Sequence, residues 1–169
     1  MSTAPGVPLA YVITFHTYGT WLPGDPRGSV DAHHNVPGTA RLDSSQPRAD
    51  ANARRMRYAP VLLSDAERTL VARTAQEVCH HRRWLLRAVH ARTNHVHAVI
   101  WAPHAPERVM NDLKAWGTRR RVETGLRPQG SRVWVRHGSM RYLWSQKAVD
   151  AACAYVVDGQ GEGRAGAAW

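Results

Sequence analysis

The chain has 169 residues, enough for one domain with an apolar core that needs no disulfide between its two cysteines, Cys79 and Cys153. No apolar run approaches the roughly 20 residues of a membrane span, and the N-terminus lacks the basic-then-apolar pattern of an export signal. The net charge of +10 comes almost entirely from arginine, since only Lys114 and Lys147 are lysines. These features exclude a disulfide scaffold and a membrane-spanning protein. They predict a cytoplasmic, nucleoid-associated protein with a nucleic-acid partner and two buried free thiols.

The first predicted element is a strand at residues 10–17, where β-branched and aromatic residues alternate. The segment from about 18 to 60 is rich in Gly, Pro, Asp and Ser, and we predict a long loop or arm there. Ser64 and Glu67 have the spacing of a capping box, which predicts a helix that ends near His81.

Two strands are predicted next, at 83–91 and 94–102, around a short turn. Pro106 begins a second helix that Gly125 ends, and a short strand is predicted at 132–136.

A last helix begins at Ser145, carries Tyr155, and is stopped by Gly159 and Gly161. The resulting order, β–(loop)–α–β–β–α–β–α, is that of a ferredoxin-like (RRM-like) α+β domain with an added C-terminal helix. We therefore predict one domain over residues 1–169, with an antiparallel sheet and two helices on one of its faces.

The strand at 94–102 carries the first candidate site. Strand alternation puts His95 and His97 on one face, about 7 Å apart, where two imidazoles can converge on one divalent ion. The opposite face is apolar and suits the core: Val96, Ala98 and Ile100. By itself, a His-x-His pair is weak evidence for a metal site, and the alternative is two half-exposed strand histidines that bind nothing.

Tyr155 is the second candidate, near the end of the last helix. It is followed by Asp158 and Gln160, whose oxygens could ligate a hard cation. A tyrosine on an amphipathic helix is most often a core residue with its hydroxyl at the edge. Beside a two-histidine metal site in a basic protein, the phenol has a further use, as a nucleophile toward a phosphodiester.

Three stretches resemble a known family. TNHVHAVIW resembles the HUH motif (His, hydrophobic, His) of single-tyrosine transposases of the insertion-sequence and REP-associated type. AYVVDGQG resembles the tyrosine helix of these transposases, and FHTYGTWLPGDPRG resembles an N-terminal stretch found in members of the group. The similarity extends from about residue 10 to 161, with the motifs in the order of the family.

The resemblance implies an endonuclease and strand transferase that cleaves and rejoins single-stranded DNA at hairpin or palindromic ends. His95 and His97 would hold Mg²⁺ or Mn²⁺ against the scissile phosphate. Tyr155 would attack phosphorus, leaving a 5′-phosphotyrosine and a free 3′-OH. A homodimer that exchanges its tyrosine helices is compatible with the resemblance.

Three alternatives stay open at this point. One is a catalytically silent single-stranded or hairpin DNA-binding module on the same fold. Another is a replication or plasmid-mobilisation nuclease of the HUH type, although the chain shows no helicase or relaxase extension. The last is a metal hydrolase of small phosphoesters, which would not need Tyr155.

The sequence departs from the family at the third metal ligand. In the family an Asn or Gln comes four residues after the tyrosine, and that position here is Gly159. In a regular helix Gln160 would lie about 140° round from Tyr155, and Asp158 about 60°. Because Gly159 can break the helix, we favour Gln160 as the third ligand and keep Asp158 as the alternative.

Arginines in three places are candidate phosphate contacts, with a solvated face as the alternative for each. They are Arg54, Arg55 and Arg57; Arg119, Arg120 and Arg121; and Arg136, which has His137 beside it. Trp21 and Trp144 are candidate stacking platforms for unpaired bases. The other tryptophans on regular elements are expected in the core: Trp84, Trp101 and Trp116. His16, His33, His34 and His90 fit no pattern.

Overall fold

A computed structural model describes residues 6–22 and 44–158, together with the backbone of 166–168. The elements in chain order are β1 Ala10–Thr17, α1 Gln46–Arg55, α2 Asp65–Arg82, β2 Leu85–Ala91, β3 His95–Trp101, α3 Pro106–Glu123, β4 Trp134–Leu143, α4 Gln146–Asp158 and β5 Gly166–Ala168. Much of the predicted arm, residues 23–43, lies outside the described part, as do Gly159, Gln160 and Gly161.

The strands form an antiparallel sheet in the order β4-β1-β3-β2-β5. Its first four strands have the ferredoxin-like arrangement, which confirms the predicted fold class. Helices α2 and α3 pack on one face, which we call the αα face, and α4 packs on the other, which we call the α4 face. Among the described residues, no helix is long and apolar enough to cross a membrane.

The predicted capping box forms at the start of α2. The Ser64 hydroxyl accepts from the backbone N–H of Glu67 at 3.2 Å, and the Glu67 carboxylate accepts from the Ser64 N–H at 2.9 Å. The helix ends at Arg83, whose φ of 58° is left-handed. Strand β2 therefore begins at Leu85, two residues later than predicted.

Three elements differ from the prediction. Helix α1 lies inside the predicted arm, where Ser45 caps it, but none of its residues is buried, so it leaves no apolar period in the sequence. Strand β4 continues to Leu143, well past the predicted end at residue 136. Strand β5 pairs with β2 through a short run of small residues that has no strand signature.

Most of the apolar core lies on the αα face. Phe15 and Ile13 of β1, Ile100 of β3, Val78 of α2 and Val109 of α3 are each at most 1% exposed. A smaller apolar cluster lies on the α4 face, between strands β1 to β4 and the helix: Ala10, Ala88, Val99, Leu143, Val149, Ala152 and Val156. Cys79 is a buried free thiol and Cys153 a half-buried one. Burial raises the pKa of Cys79 to about 12.

The αα face also encloses charged side chains. Glu67 is 3% exposed and accepts from Arg127 at 2.6 Å, and it lies 3.5 Å from the guanidinium of the fully buried Arg121. Lys114 donates to the carbonyl groups of three consecutive residues, 135–137, where the β1–β4 pairing shifts register. Burial lowers the pKa of Lys114 to about 8. Glu67, Lys114 and Arg121 are therefore enclosed in the domain and not displayed on its surface.

Candidate functional site

Strand β3 turns both candidate histidines toward the α4 face, as the alternation predicts. His95 and His97 are half-buried, and their ring centroids are 4.6 Å apart with the planes at 80°. The residues between and beside them, Val96 and Ala98, are buried on the αα face. The two imidazoles are therefore adjacent, at the surface of the sheet and outside the main core.

Each of these imidazoles is held by a polar neighbour through Nδ1. His95 Nδ1 lies 2.6 Å from Asn94 Oδ1, and His97 Nδ1 lies 2.7 Å from the Thr14 hydroxyl. The amide oxygen of Asn94 can only accept, so Nδ1 of His95 donates to it; in a neutral imidazole this arrangement leaves the lone pair on Nε2. Hydrogen bonds of this kind orient the imidazole ligands of metal sites.

A third histidine joins this pair, which the sequence alone did not indicate. His16 of β1 is directly opposite His95 in the β1–β3 pairing, and their ring centroids are 5.3 Å apart. Trp21 packs its ring edge-on against His16 at 4.5 Å. Trp21 is thus half-buried beside the histidines, and one side of its ring is already in contact with protein.

Tyr155 reaches the same place from helix α4. The helix buries Val149, Ala152 and Val156 at helical spacing against the sheet. Tyr155 precedes Val156 by one residue and therefore lies at the edge of that face, 56% exposed. Its ring centroid is 6.1 Å from that of His97 of the same chain. The phenol and the histidine pair therefore face one exposed position.

His90 fixes the end of α4 to the sheet. It is 1% exposed, is paired with His97 across the β2–β3 ladder, and its Nδ1 lies 2.9 Å from the carbonyl oxygen of Val156. A carbonyl only accepts, so Nδ1 donates, and it satisfies one of the last carbonyl groups of the helix. The signal that could have indicated His90 is its position two residues after Ala88, on the same side of β2.

The two candidates for the third metal ligand both come after Tyr155 in the sequence. Gln160, the residue favoured from the sequence, lies outside the described residues, and Asp158 is the exposed last residue of α4. Within residues 6–22 and 44–158, no group of three or more His, Cys, Asp or Glu side chains could hold a metal ion. The donors that this part of the chain brings together are therefore the imidazoles of His95 and His97, with His16 beside them.

The predicted phosphate contacts on α3 need one correction. The prediction for Arg121 is wrong, because its side chain is fully buried, 5.2 Å from the Trp134 ring and beside Glu67. Burial lowers the pKa of Arg121 to about 10. Arg120 is engaged by Glu77 and Glu123, both at 3.0 Å, whereas Arg119 is exposed. Helix α3 lies on the opposite face of the sheet from His95 and His97.

The remaining candidate contacts are accessible. Exposed side chains include those of Arg54, Arg55, Arg57 and Arg136. Trp144 is 55% exposed. Of the tryptophans expected in the core, Trp84 is 5% exposed, and Trp101 and Trp116 are half-buried.

Neither a protein-family model nor a curated protein sequence matches this chain. Among solved structures, it is similar to that of a REP-associated tyrosine transposase bound to a REP hairpin. The TM-score is 0.47 at 10% sequence identity, over 94% of this chain and 72% of the other. A likeness of this degree identifies neither a family nor an activity, so the proposed function depends on the residues of the site themselves.

Proposed function

We propose that this protein is a metal-dependent endonuclease and strand transferase that acts on single-stranded or hairpin DNA, with Tyr155 as its nucleophile. The observation that carries the proposal is the placement of the Tyr155 ring, 6.1 Å from the ring of His97 in the His95–His97 pair. These residues come from elements almost 60 positions apart, and they meet at an accessible position on a protein with a charge of +10.

Two imidazoles with one carboxylate or amide oxygen are a ligand set that a divalent cation can take. His95 and His97 would bind it through Nε2, because Nδ1 of each is engaged by Asn94 or Thr14. Asp158 or Gln160 would complete the ligand set with oxygen. Imidazole nitrogen suits Mn²⁺ better than Mg²⁺, which prefers oxygen. When bound, the cation would neutralise charge on a phosphate and orient it.

The chemistry of the chain itself is a displacement at phosphorus. The Tyr155 oxygen forms a bond to phosphorus as its proton leaves, the P–O3′ bond breaks, and the 3′ oxygen takes up a proton. The products are a 5′-phosphotyrosine and a free 3′-OH. Since one ester replaces another, attack by a different 3′-OH reverses the step and joins strands. His90 would hold the phenol in place through the Val156 carbonyl.

The test is formation of a covalent adduct. Labelled single-stranded DNA hairpins are incubated with the protein and Mn²⁺, and the products are separated under denaturing conditions. We expect a protein–DNA band that is lost with EDTA and in Tyr155→Phe. The matched control is Tyr58→Phe, because Tyr58 is 55% exposed but contacts Tyr18 rather than a histidine. Tight binding of a broad hairpin library without any adduct would instead identify a silent DNA-binding module.

A further inference from the structure

The end of β4 presents two aromatic rings to solvent. Tyr142 is 45% exposed and Trp144 is 55% exposed. Their rings are stacked, with centroids 5.8 Å apart and planes at 13°. Two aromatic rings stacked in the open form a flat apolar surface that can take a third planar group.

The inner part of this stack is anchored to the core. Tyr142 contacts Tyr11 edge-on, with ring centroids 5.2 Å apart, and Tyr11 is 7% exposed. The Tyr11 hydroxyl donates to the Ala102 carbonyl at 3.4 Å. Tyr142 is thereby held in place, and Trp144 rests on it, so the surface exists before a ligand arrives and little conformational entropy is lost on binding.

The stack borders a groove between β4 and the start of α4. The groove has a volume of about 350 Å³, and its wall on the helix side is made of small residues, Ser145, Ala148 and Ala151. Arg141, which is exposed, lines the same groove. Aromatic rings and an arginine that line one groove match the chemistry of a nucleobase and its phosphate.

We infer that Trp144 and Tyr142 form a subsite for an unpaired base of single-stranded DNA, with Arg141 contacting the adjoining phosphate. The inference rests on the proposed function and deepens it, because it specifies how that substrate is held. The groove is lined by the first turns of α4, the helix that carries Tyr155.

The experiment compares two oligonucleotides of equal charge that differ only in their bases. One is an oligothymidylate of about twelve nucleotides, and the other is an abasic strand of the same length. Dissociation constants are measured for the unmodified protein, Trp144→Ala, Trp144→Phe and Arg141→Gln. Leu62→Ala is the matched control, since Leu62 is 61% exposed and lies outside the groove.

We expect the unmodified protein to prefer the oligothymidylate. Trp144→Ala should weaken its binding by about 5- to 150-fold and leave the abasic strand unaffected, while Trp144→Phe retains most of the affinity. Arg141→Gln should weaken binding of both strands. Equal affinity of the unmodified protein for the two strands, or unchanged oligothymidylate binding in Trp144→Ala, would overturn the subsite. Either result could occur while the Tyr155 adduct still forms, so the two proposals fail separately.

Discussion

On the αα face of the sheet, ionisable side chains are enclosed and paired, as Glu67 is with Arg121 and Arg127. On the α4 face, His95 and His97 are half-buried and Tyr155 is more than half exposed. The same strands supply both faces, with alternate residues on each. Charged groups on the αα face are thus enclosed beside the main core, whereas the His95–His97 pair and Tyr155 on the α4 face lie outside it. Substitutions on the two faces should therefore separate stability from activity.

The largest effect on stability is expected on the αα face. Glu67→Gln can still accept the Ser64 N–H but leaves the buried Arg121 cation without its counter-charge. Loss of one partner from a buried pair costs about 3–5 kcal/mol, which urea unfolding would measure. Adduct formation by the fraction that stays folded should not change. Arg120→Gln is the control, because its ion pairs with Glu77 and Glu123 are half-exposed and screened by solvent, so their loss should change stability little.

The same carboxylate predicts a pH dependence of stability. Burial opposes ionisation of Glu67, but hydrogen bonds from Arg127 and the Ser64 N–H, with the charges of Arg127 and Arg121, outweigh it and lower its pKa. A group with a lowered folded pKa stabilises the protein above its unfolded pKa and loses that contribution as the pH falls through the folded pKa. Unfolding free energy should therefore decline below about pH 4.5. In Glu67→Gln this part of the decline should be absent, and an unchanged profile would contradict the assignment.

On the α4 face, His97→Ala should remove activity without unfolding the protein. Substituting even a residue that orients a metal ligand typically lowers metal affinity by about 10- to 100-fold, so loss of a ligand should exceed that range. Titration with Mn²⁺ and the rate of adduct formation would both report it. His80→Ala serves as the control, since His80 is exposed on α2. Unchanged Mn²⁺ affinity in His97→Ala would show that the pair is not a metal site.

Substitution of His90 should lower both the stability of the protein and the rate of adduct formation, each by a smaller amount. His90→Ala leaves the Val156 carbonyl without its donor, which costs about 1–3 kcal/mol, and lets the end of α4 shift. We expect adduct formation per folded molecule to slow by roughly tenfold, because small displacements of a reacting group are costly. His90→Gln, which keeps an N–H donor, should restore part of the rate. A normal rate in folded His90→Ala would show that the helix does not depend on this bond.

Patterns that depend on backbone geometry could be predicted from the sequence. The shared face of His95 and His97 follows from alternation, and the start of α2 follows from its capping box. His16 was missed because alternation does not reveal which residue of a neighbouring strand lies opposite. Helix α1 was missed because it buries nothing.

Arg121 was misassigned because three adjacent arginines were treated as one surface. Helical spacing places Arg121 on the buried side of α3, because it lies four residues after Gly117 and eight after Leu113, and both of these are buried. Stacking of Tyr142 on Trp144 depends on the length of β4, which was predicted too short.

The most direct test of the account identifies the atom that carries the DNA. The protein is trapped on a hairpin with Mn²⁺, digested with a protease and a nuclease, and the nucleotide-bearing peptide is sequenced by mass spectrometry. We expect the modification on Tyr155, attached through a 5′ phosphate. A nucleotide on another side chain, or a cleaved strand with no modified peptide, would contradict it.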